Sequence, residues 1–280
     1  SLLALYICLM SGEPCLYLDW ESNIEEHQDR LRALLKGLGR PDEPTNIYYR
    51  RMSRPIDEEA QFIRKEVARL SIRRLVVDSY GPASVRTGDW TDSAIRTMDT
   101  IRSLGKSVTR LLLTHISKDS ASLDGGAGKP IASIYVPNLA RSSWEMRQGD
   151  NEGDEDYIEV RLDHRKVNRG RKYRPKGLRI VFTEDAAKSL DAIYVQDIDF
   201  KTIILNGHQP IDDRIDLFLQ SRGEATVKEI IKATGSGEDT VKKSLKRNSK
   251  WFVQTYPGGP RSEARYDLRE GELGVPPRIP

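Results

Sequence analysis

Two short apolar runs, each closed by carboxylates, constrain this chain most. Residues 73–79 read RRLVVDS, so Leu75, Val76 and Val77 run straight into Asp78. Residues 15–22 read CLYLDWES, a second such run that ends in Asp19 and Glu21. Continuous apolar runs of this length suit strands buried on both faces, as in a parallel sheet. Between them lie a helix over residues 22–39, a short strand over 46–50 and a helix over 56–71. The first helix has Ile24, Leu31, Leu34, Leu35 and Leu38 at helical spacing. It opens on Ser22-x-x-Glu25, a capping-box pattern, and stops at Gly37 and Gly39. The second carries Ile63, Val67 and Leu70 on one face. The order β-α-β-α-β implies a parallel sheet with right-handed crossovers. Ligands of such sheets sit at the carboxyl ends of the strands. Asp19, Glu21 and Asp78 all fall on that edge, where a carboxylate can hold magnesium directly or through water. Taken alone, Asp78 reads equally as a cap on a strand–loop junction.

Further along, residues 80–90 (YGPASVRTGDW) form a loop at the same edge. Residues 91–104 read as a helix with Ile95, Met98, Ile101 and Leu104 inward, and 108–115 as a strand ending in LLLTH at His115. Residues 116–129 are long, polar and glycine-rich, a length usually tied to function or disorder. Their GGAGKP is not a phosphate loop: the first glycine is missing at the required distance, and Pro130 stands where a hydroxyl residue belongs. A short helix over 133–140 and a strand over 142–147 follow. Residues 157–162 and 178–182 alternate, reading as a β-hairpin on the sheet's far side. An acidic lead-in (Asp150, Glu152, Asp154, Glu155, Asp156) precedes it, and its tip, 165–176, is densely basic. Residues 184–210 read as a connector with weak strand signals at 193–195 and 202–205.

From residue 211 the texture changes. Helices over 211–222, 226–234 (Thr226 capping, Glu229 three residues on) and 238–249 precede strands over 251–255 and 265–268. Three helices and then strand–loop–strand is the winged-helix pattern. In the third helix Lys242, Lys243, Lys246, Arg247 and Lys250 fall at i, i+1, i+4, i+5 and i+8, with Val241 and Leu245 opposite. Such cations neutralise phosphates and give salt-sensitive affinity, which points to DNA. Arg261 and Arg265 add charge on the wing, and Asn248 is positioned to read a base edge. A solvated basic face is the plainer alternative.

The 280 residues allow one large domain or two ordinary ones. With 45 basic against 42 acidic residues, the net charge of +3 says little, and distribution matters more. Two cysteines, Cys8 and Cys15, are too few for a disulfide scaffold and read as reduced core thiols. Residues 2–10 are apolar but too short to span a membrane, and no basic flank makes them a signal peptide. A cytoplasmic protein with no membrane contact is expected.

Strand–D-x-E, strand–DS and LLLTH, in this order and spacing, resemble the ATPase core of the RecA-like superfamily. The similarity is to the RepA-like and DnaB-type helicase branch, often grouped with AAA-family ATPases, and covers roughly residues 1–182. The resemblance implies a RecA-like α/β fold, a mostly parallel sheet flanked by helices with an added antiparallel hairpin, with ATP and Mg2+ as cofactors. Under it Ser1 is the last residue of a truncated G-K-S phosphate loop and residues 2–10 are the helix that follows. Asp78 becomes the metal-side acid, Ser79 the second half of the DS pair, and Glu21 the general base that polarises the attacking water. The rival reading of Glu21 is a helix-capping acid. His115 matches a polar sensor, and Lys118 is a weaker candidate. The 116–129 loop would face a channel and contact DNA. Lys166, in HRKVNRG, resembles a family cation that reaches a neighbour's ATP site, with Arg165 and Arg169 as substitutes if the register differs. Arg141, in NLARSSWE, also resembles a family position. A cation supplied by a neighbour implies a homo-oligomeric ring, such as a hexamer.

The resulting division is an ATPase core over 1–183, a connector over 184–210, a winged-helix unit over 211–268 and a loose tail over 269–280. The function implied is an ATP-dependent DNA-binding protein, helicase-like or a replication-initiation ATPase of a plasmid, phage or mobile element. The rival is a non-catalytic DNA-binding scaffold with a degenerate ATPase fold. A third reading is a circadian- or repair-type RecA relative whose turnover separates no strands.

Overall fold

The computed structural model describes residues 1–86, 88–115, 135–150, 156–205, 210–249, 251–259 and 262–269. The chain begins α1 (Leu2–Ser11), β1 (Cys15–Asp19), α2 (Ile24–Gly37), β2 (Ile47–Arg51), α3 (Ala60–Arg69) and β3 (Arg74–Asp78). It continues with α4 (Tyr80–Ala83), α5 (Trp90–Ser103), β4 (Thr109–Leu112) and α6 (Tyr135–Leu139). Strands β1 to β4 pair in parallel in the order β2-β1-β3-β4. The two apolar runs are its central strands, β1 buried throughout and β3 buried from Leu75 onward. Their side chains alternate between two cores. Leu16, Leu18, Leu75 and Val77 face α3 and α5. Tyr17 and Val76 face α1 and α2. The register sets Asp19 opposite Asp78, so both acids end their strands at one level.

Local detail departs from the sequence patterns in instructive ways. Asn23, not Ser22, caps α2, its side chain accepting from the Glu26 N–H. Ser22 Oγ is engaged elsewhere, donating to the Glu26 carboxylate at 2.6 Å, so the Ser22–Glu25 box does not form. Ile24 is 46% exposed and leaves the apolar stripe. The second helix starts at Ala60 rather than residue 56, after a run of turns. The 80–90 loop opens with the short helix α4, where Pro82 lies within the first turn that tolerates it. On α5 the inward positions are Ala94, Thr97, Met98 and Ile101, while Ile95 turns outward.

A second, antiparallel sheet follows: β5 (Ser142–Gln148), β6 (Tyr157–Val167), β7 (Lys176–Glu184) and β8 (Leu190–Ile198), in that spatial order. The expected two-stranded hairpin is therefore the middle of a four-stranded sheet, and the stretch read as a connector supplies its fourth strand. Val160, Leu178, Ile180 and Ile193 carry the sheet onto the core of α1 and α2. Strand β8 lies against α2 so closely that a Cβ on Gly37 would stand 1.9 Å from the Ile193 carbonyl oxygen.

The last unit contains α7 (Ile211–Arg222), β9 (Ala225–Thr226), α8 (Val227–Thr234), α9 (Glu238–Arg247), β10 (Phe252–Tyr256) and β11 (Arg265–Leu268). Its strands order β10-β11-β9. Ile215, Leu219, Ile230, Val241, Leu245, Phe252 and Leu268 form its own core. The Thr226–Glu229 capping box forms as expected. Two buried ion pairs join α7 to the antiparallel sheet region: Arg161 with Asp213, and Lys201 with Asp216 at 2.6 Å. Among the described residues no helix is long and apolar enough to cross a membrane.

Candidate active site

The carboxyl edge of the parallel sheet gathers side chains from three strands. Beyond β1, the Asp19 carboxylate accepts the backbone N–H groups of Glu21 and Ser22 at 2.8 and 2.9 Å. That short Asx-type turn fixes where Glu21 projects. Beyond β3, the Ser79 hydroxyl donates to Glu21 Oε1. His115, beyond β4, places Nε2 3.0 Å from the same oxygen. Glu21 therefore lies between the ends of β3 and β4. Burial works to raise its pKa, but the bonds from Ser79 and His115 outweigh that and hold it below the usual carboxylate range. It is an ionised acceptor at neutral pH, suited to orienting and polarising a water.

Asp78 is buried, and the Tyr17 hydroxyl donates to its Oδ2 at 2.6 Å. The Tyr17 oxygen also stands 3.3 Å from the Ser1 carbonyl, at the N-terminal end of α1. Burial, followed by the Asp78 charge, drives the Tyr17 pKa well upward, so the phenol stays protonated and keeps donating. Tyr17 thus links Ser1 to Asp78 and Glu21 links Ser79 to His115, the two groups being joined by the chain itself from Asp78 to Ser79. Among the described residues no group of three or more His, Cys, Asp or Glu side chains could hold a metal. A magnesium ion there would rest on Asp78, with water and substrate oxygens completing its shell.

Tyr17 was not legible as a site residue. The available signal was period-two alternation, which puts Tyr17 on the same strand face as Asp19. His27 was missed as well. It packs between Tyr17 and Tyr49, ring centroids 4.9 and 4.3 Å away, behind the acidic edge. Burial lowers its pKa to about 4, so it is neutral at physiological pH.

The remaining candidates lie elsewhere. Lys166, on β6, donates to the carbonyls of Pro137, Asn138 and Ala140 at 2.9, 2.6 and 2.8 Å. Those oxygens sit at the C-terminal end of α6, where a cation is electrostatically favoured. Arg165 is paired with Glu145. Arg141 and Arg169 are exposed. On α9, Lys242, Lys243, Lys246 and Arg247 are all exposed while Val241, Ser244 and Leu245 face inward. Lys242 pairs with Glu238 and Arg247 with Asp212, while among the described residues Lys243 and Lys246 make no ion pair. Asn248 is buried at the end of α9, its carbonyl accepting the Trp251 and Phe252 N–H groups, so it does not offer its side chain to a base edge. Lys118, Lys250 and Arg261, the GGAGKP stretch and most of the acidic lead-in lie outside the described residues.

No family model matches the chain. No curated protein matches it. Among solved structures, a KaiC-like protein from the hyperthermophilic archaeon Pyrococcus horikoshii aligns with a TM-score of 0.44 and 14% identity, over 69% of this chain and 80% of that one. The architecture itself is the mixed one expected: a parallel sheet flanked by helices, with antiparallel sheets added.

Proposed function

We propose that residues 1–198 form a RecA-like ATPase core and that the C-terminal unit is a winged helix that holds DNA. The observation that carries the first half is the convergence on Glu21: one ionised carboxylate, held by Ser79 and His115, beside the buried Asp78. Hydrolysis of a phosphoanhydride needs an acceptor placed against an in-line water, which is the role assigned to Glu21. His115 and Ser79 position that carboxylate, and Asp19 fixes the turn that carries it. ATP with Mg2+, when bound, would supply the phosphoryl group and a cation to neutralise its charge; Asp78 is the residue of this chain that would hold the metal, and Ser1 is the candidate to meet the phosphates. Among the exposed cations, Arg141 is available to a neighbour's site in a ring, whereas Lys166 would first have to leave three carbonyls. Support for the second half is the outward cationic face of α9, backed by its own core.

The test is DNA-stimulated ATP turnover in the longest form the gene encodes, comparing wild type with Glu21→Gln. The variant is expected to bind ATP and to lose nearly all turnover. Turnover at the wild-type rate removes Glu21 from the chemistry. Failure of the wild type to bind ATP at all makes the protein a DNA-binding scaffold instead.

A further inference from the structure

At one end of the antiparallel sheet three aromatic rings lie in near-parallel planes. Trp144 on β5 is directly paired with His164 on β6, and their rings stack at 4.3 Å with planes 2° apart. Tyr173, from the loop between β6 and β7, lies parallel to both at 6.2 and 5.6 Å. The His164 ring is locked: Nδ1 accepts the Tyr173 N–H at 3.0 Å and Nε2 stands 2.9 Å from Ser142 Oγ. That pattern leaves Nε2 carrying the proton and the ring neutral. A buried, neutral, fixed imidazole thus serves as a floor, while Trp144 is 43% and Tyr173 65% exposed. Together the three rings present one aromatic face that is open to solvent on the Trp144 and Tyr173 sides.

The surroundings decide what fits. Residues 165–176 contain seven cations and no acid. Arg169, Arg171, Lys172 and Lys176 are exposed there, and Arg169, Lys172 and Lys176 make no ion pair among the described residues. The nearby acids Glu145 and Asp163 are buried and already matched with Arg165, Arg147 and Arg161. The patch is therefore a rigid aromatic platform with a positive rim. An apolar protein partner would have to desolvate that rim without an anion to meet it. A polyanion with flat, unpaired rings satisfies both halves at once: phosphates on the rim, bases on the platform.

We infer that the Trp144–His164–Tyr173 stack, with Arg169, Lys172 and Lys176, binds single-stranded nucleic acid by base stacking. This surface is separate from α9 and does not depend on the reading of Glu21. A duplex keeps its bases stacked on one another, so the platform selects unpaired strands.

The experiment is fluorescence anisotropy of a labelled oligothymidylate against the full chain, with a duplex of equal length beside it. Both are titrated over wild type, Trp144→Ala, Trp144→Phe, Tyr173→Ala and an Arg169/Lys172/Lys176→Gln triple variant. Base stacking on an aromatic side chain contributes roughly 1–3 kcal/mol per base, so Trp144→Ala is expected to weaken oligothymidylate binding by about 5- to 150-fold. Trp144→Phe should retain most of the affinity, and duplex affinity should stay within about twofold in all single variants. The triple variant should flatten the salt dependence, and Trp144→Ala should not. Tyr173→Ala, at a mostly exposed position, repeats the stacking test where Trp144→Ala perturbs folding. Equal single-strand affinity for wild type, Trp144→Ala and Tyr173→Ala overturns the inference. So does concentration-dependent self-association that Trp144→Ala abolishes while oligothymidylate binding is unmoved, because that assigns the platform to a second copy of the chain.

Discussion

Gly37→Ala tests whether β8 belongs where it lies, on top of α2. Gly37 is the last residue of α2, and an added Cβ would meet the Ile193 carbonyl oxygen at 1.9 Å and its carbon at 2.6 Å. Both are backbone atoms, so no side chain can swing aside. Non-bonded carbon–oxygen contacts need about 3 Å or more, so β8 would have to retreat by about an ångström or more, opening the packing between α2 and the sheet. In isolation the substitution favours the helix by up to about 1 kcal/mol. Overpacking of a close contact costs about 1–3 kcal/mol, and a backbone obstacle belongs at the upper end. The net expectation is a loss of about 2 kcal/mol, read by chemical denaturation with unchanged denaturant dependence. Gly81→Ala is the matched control: it too is helical, but a Cβ there has nothing within 4 Å, so it should be neutral or stabilising. A Gly37→Ala protein as stable as the Gly81→Ala protein would mean that β8 does not pack on α2 at this point.

Three further predictions use other parts of the fold. His27 titrates near 4 when folded and near 6.5 when unfolded, so its burial costs nothing above the unfolded value and destabilises as pH falls below it. Between pH 7.5 and 4.5 the wild type should lose about 2 kcal/mol more than His27→Leu in denaturation, and parallel curves would refute the assignment. Arg161 and Asp213 are both buried, so Arg161→Met leaves a charge without its partner and should cost about 3–5 kcal/mol, much of it recovered when Asp213→Leu is added; a loss below about 1 kcal/mol contradicts the pairing. On α9, replacing Lys243 and Lys246 with Gln should reduce the slope of log affinity against log salt for duplex DNA by about 1.8, and an unchanged slope would take that face out of contact with phosphate.

The central strands, the acid at the end of each, and the helices between them were legible because burial on both faces writes itself as an unbroken apolar run. The capping box at Thr226 and the inward Val241 and Leu245 were legible for a similar reason, since each is a local pattern satisfied by local partners. Strand β8 was not. Only Ala192 and Ile193 of its nine residues are buried, because it is an edge strand of its sheet and lays one part of one face on α2. Asn248 misled for the opposite reason: its place within the expected basic helix suggested a base contact, whereas α9 ends at Arg247 and the turn into Trp251 and Phe252 leaves it buried.

Sequence alone thus determined which residues could not remain in water and which acids ended the strands. Which of those acids meet was decided by tertiary structure. The parallel register brings Asp19 level with Asp78, the Asp19 turn aims Glu21 across the ends of the next strands, and Ser79 and His115 arrive from 58 and 94 residues away. The aromatic platform has the same origin, since Trp144, His164 and Tyr173 share no pattern in the chain and become one surface only when β5 pairs with β6. Periodicity reports burial, which each residue experiences by itself. A site is a relation among residues, and relations at long separation exist only after the strands have found their register.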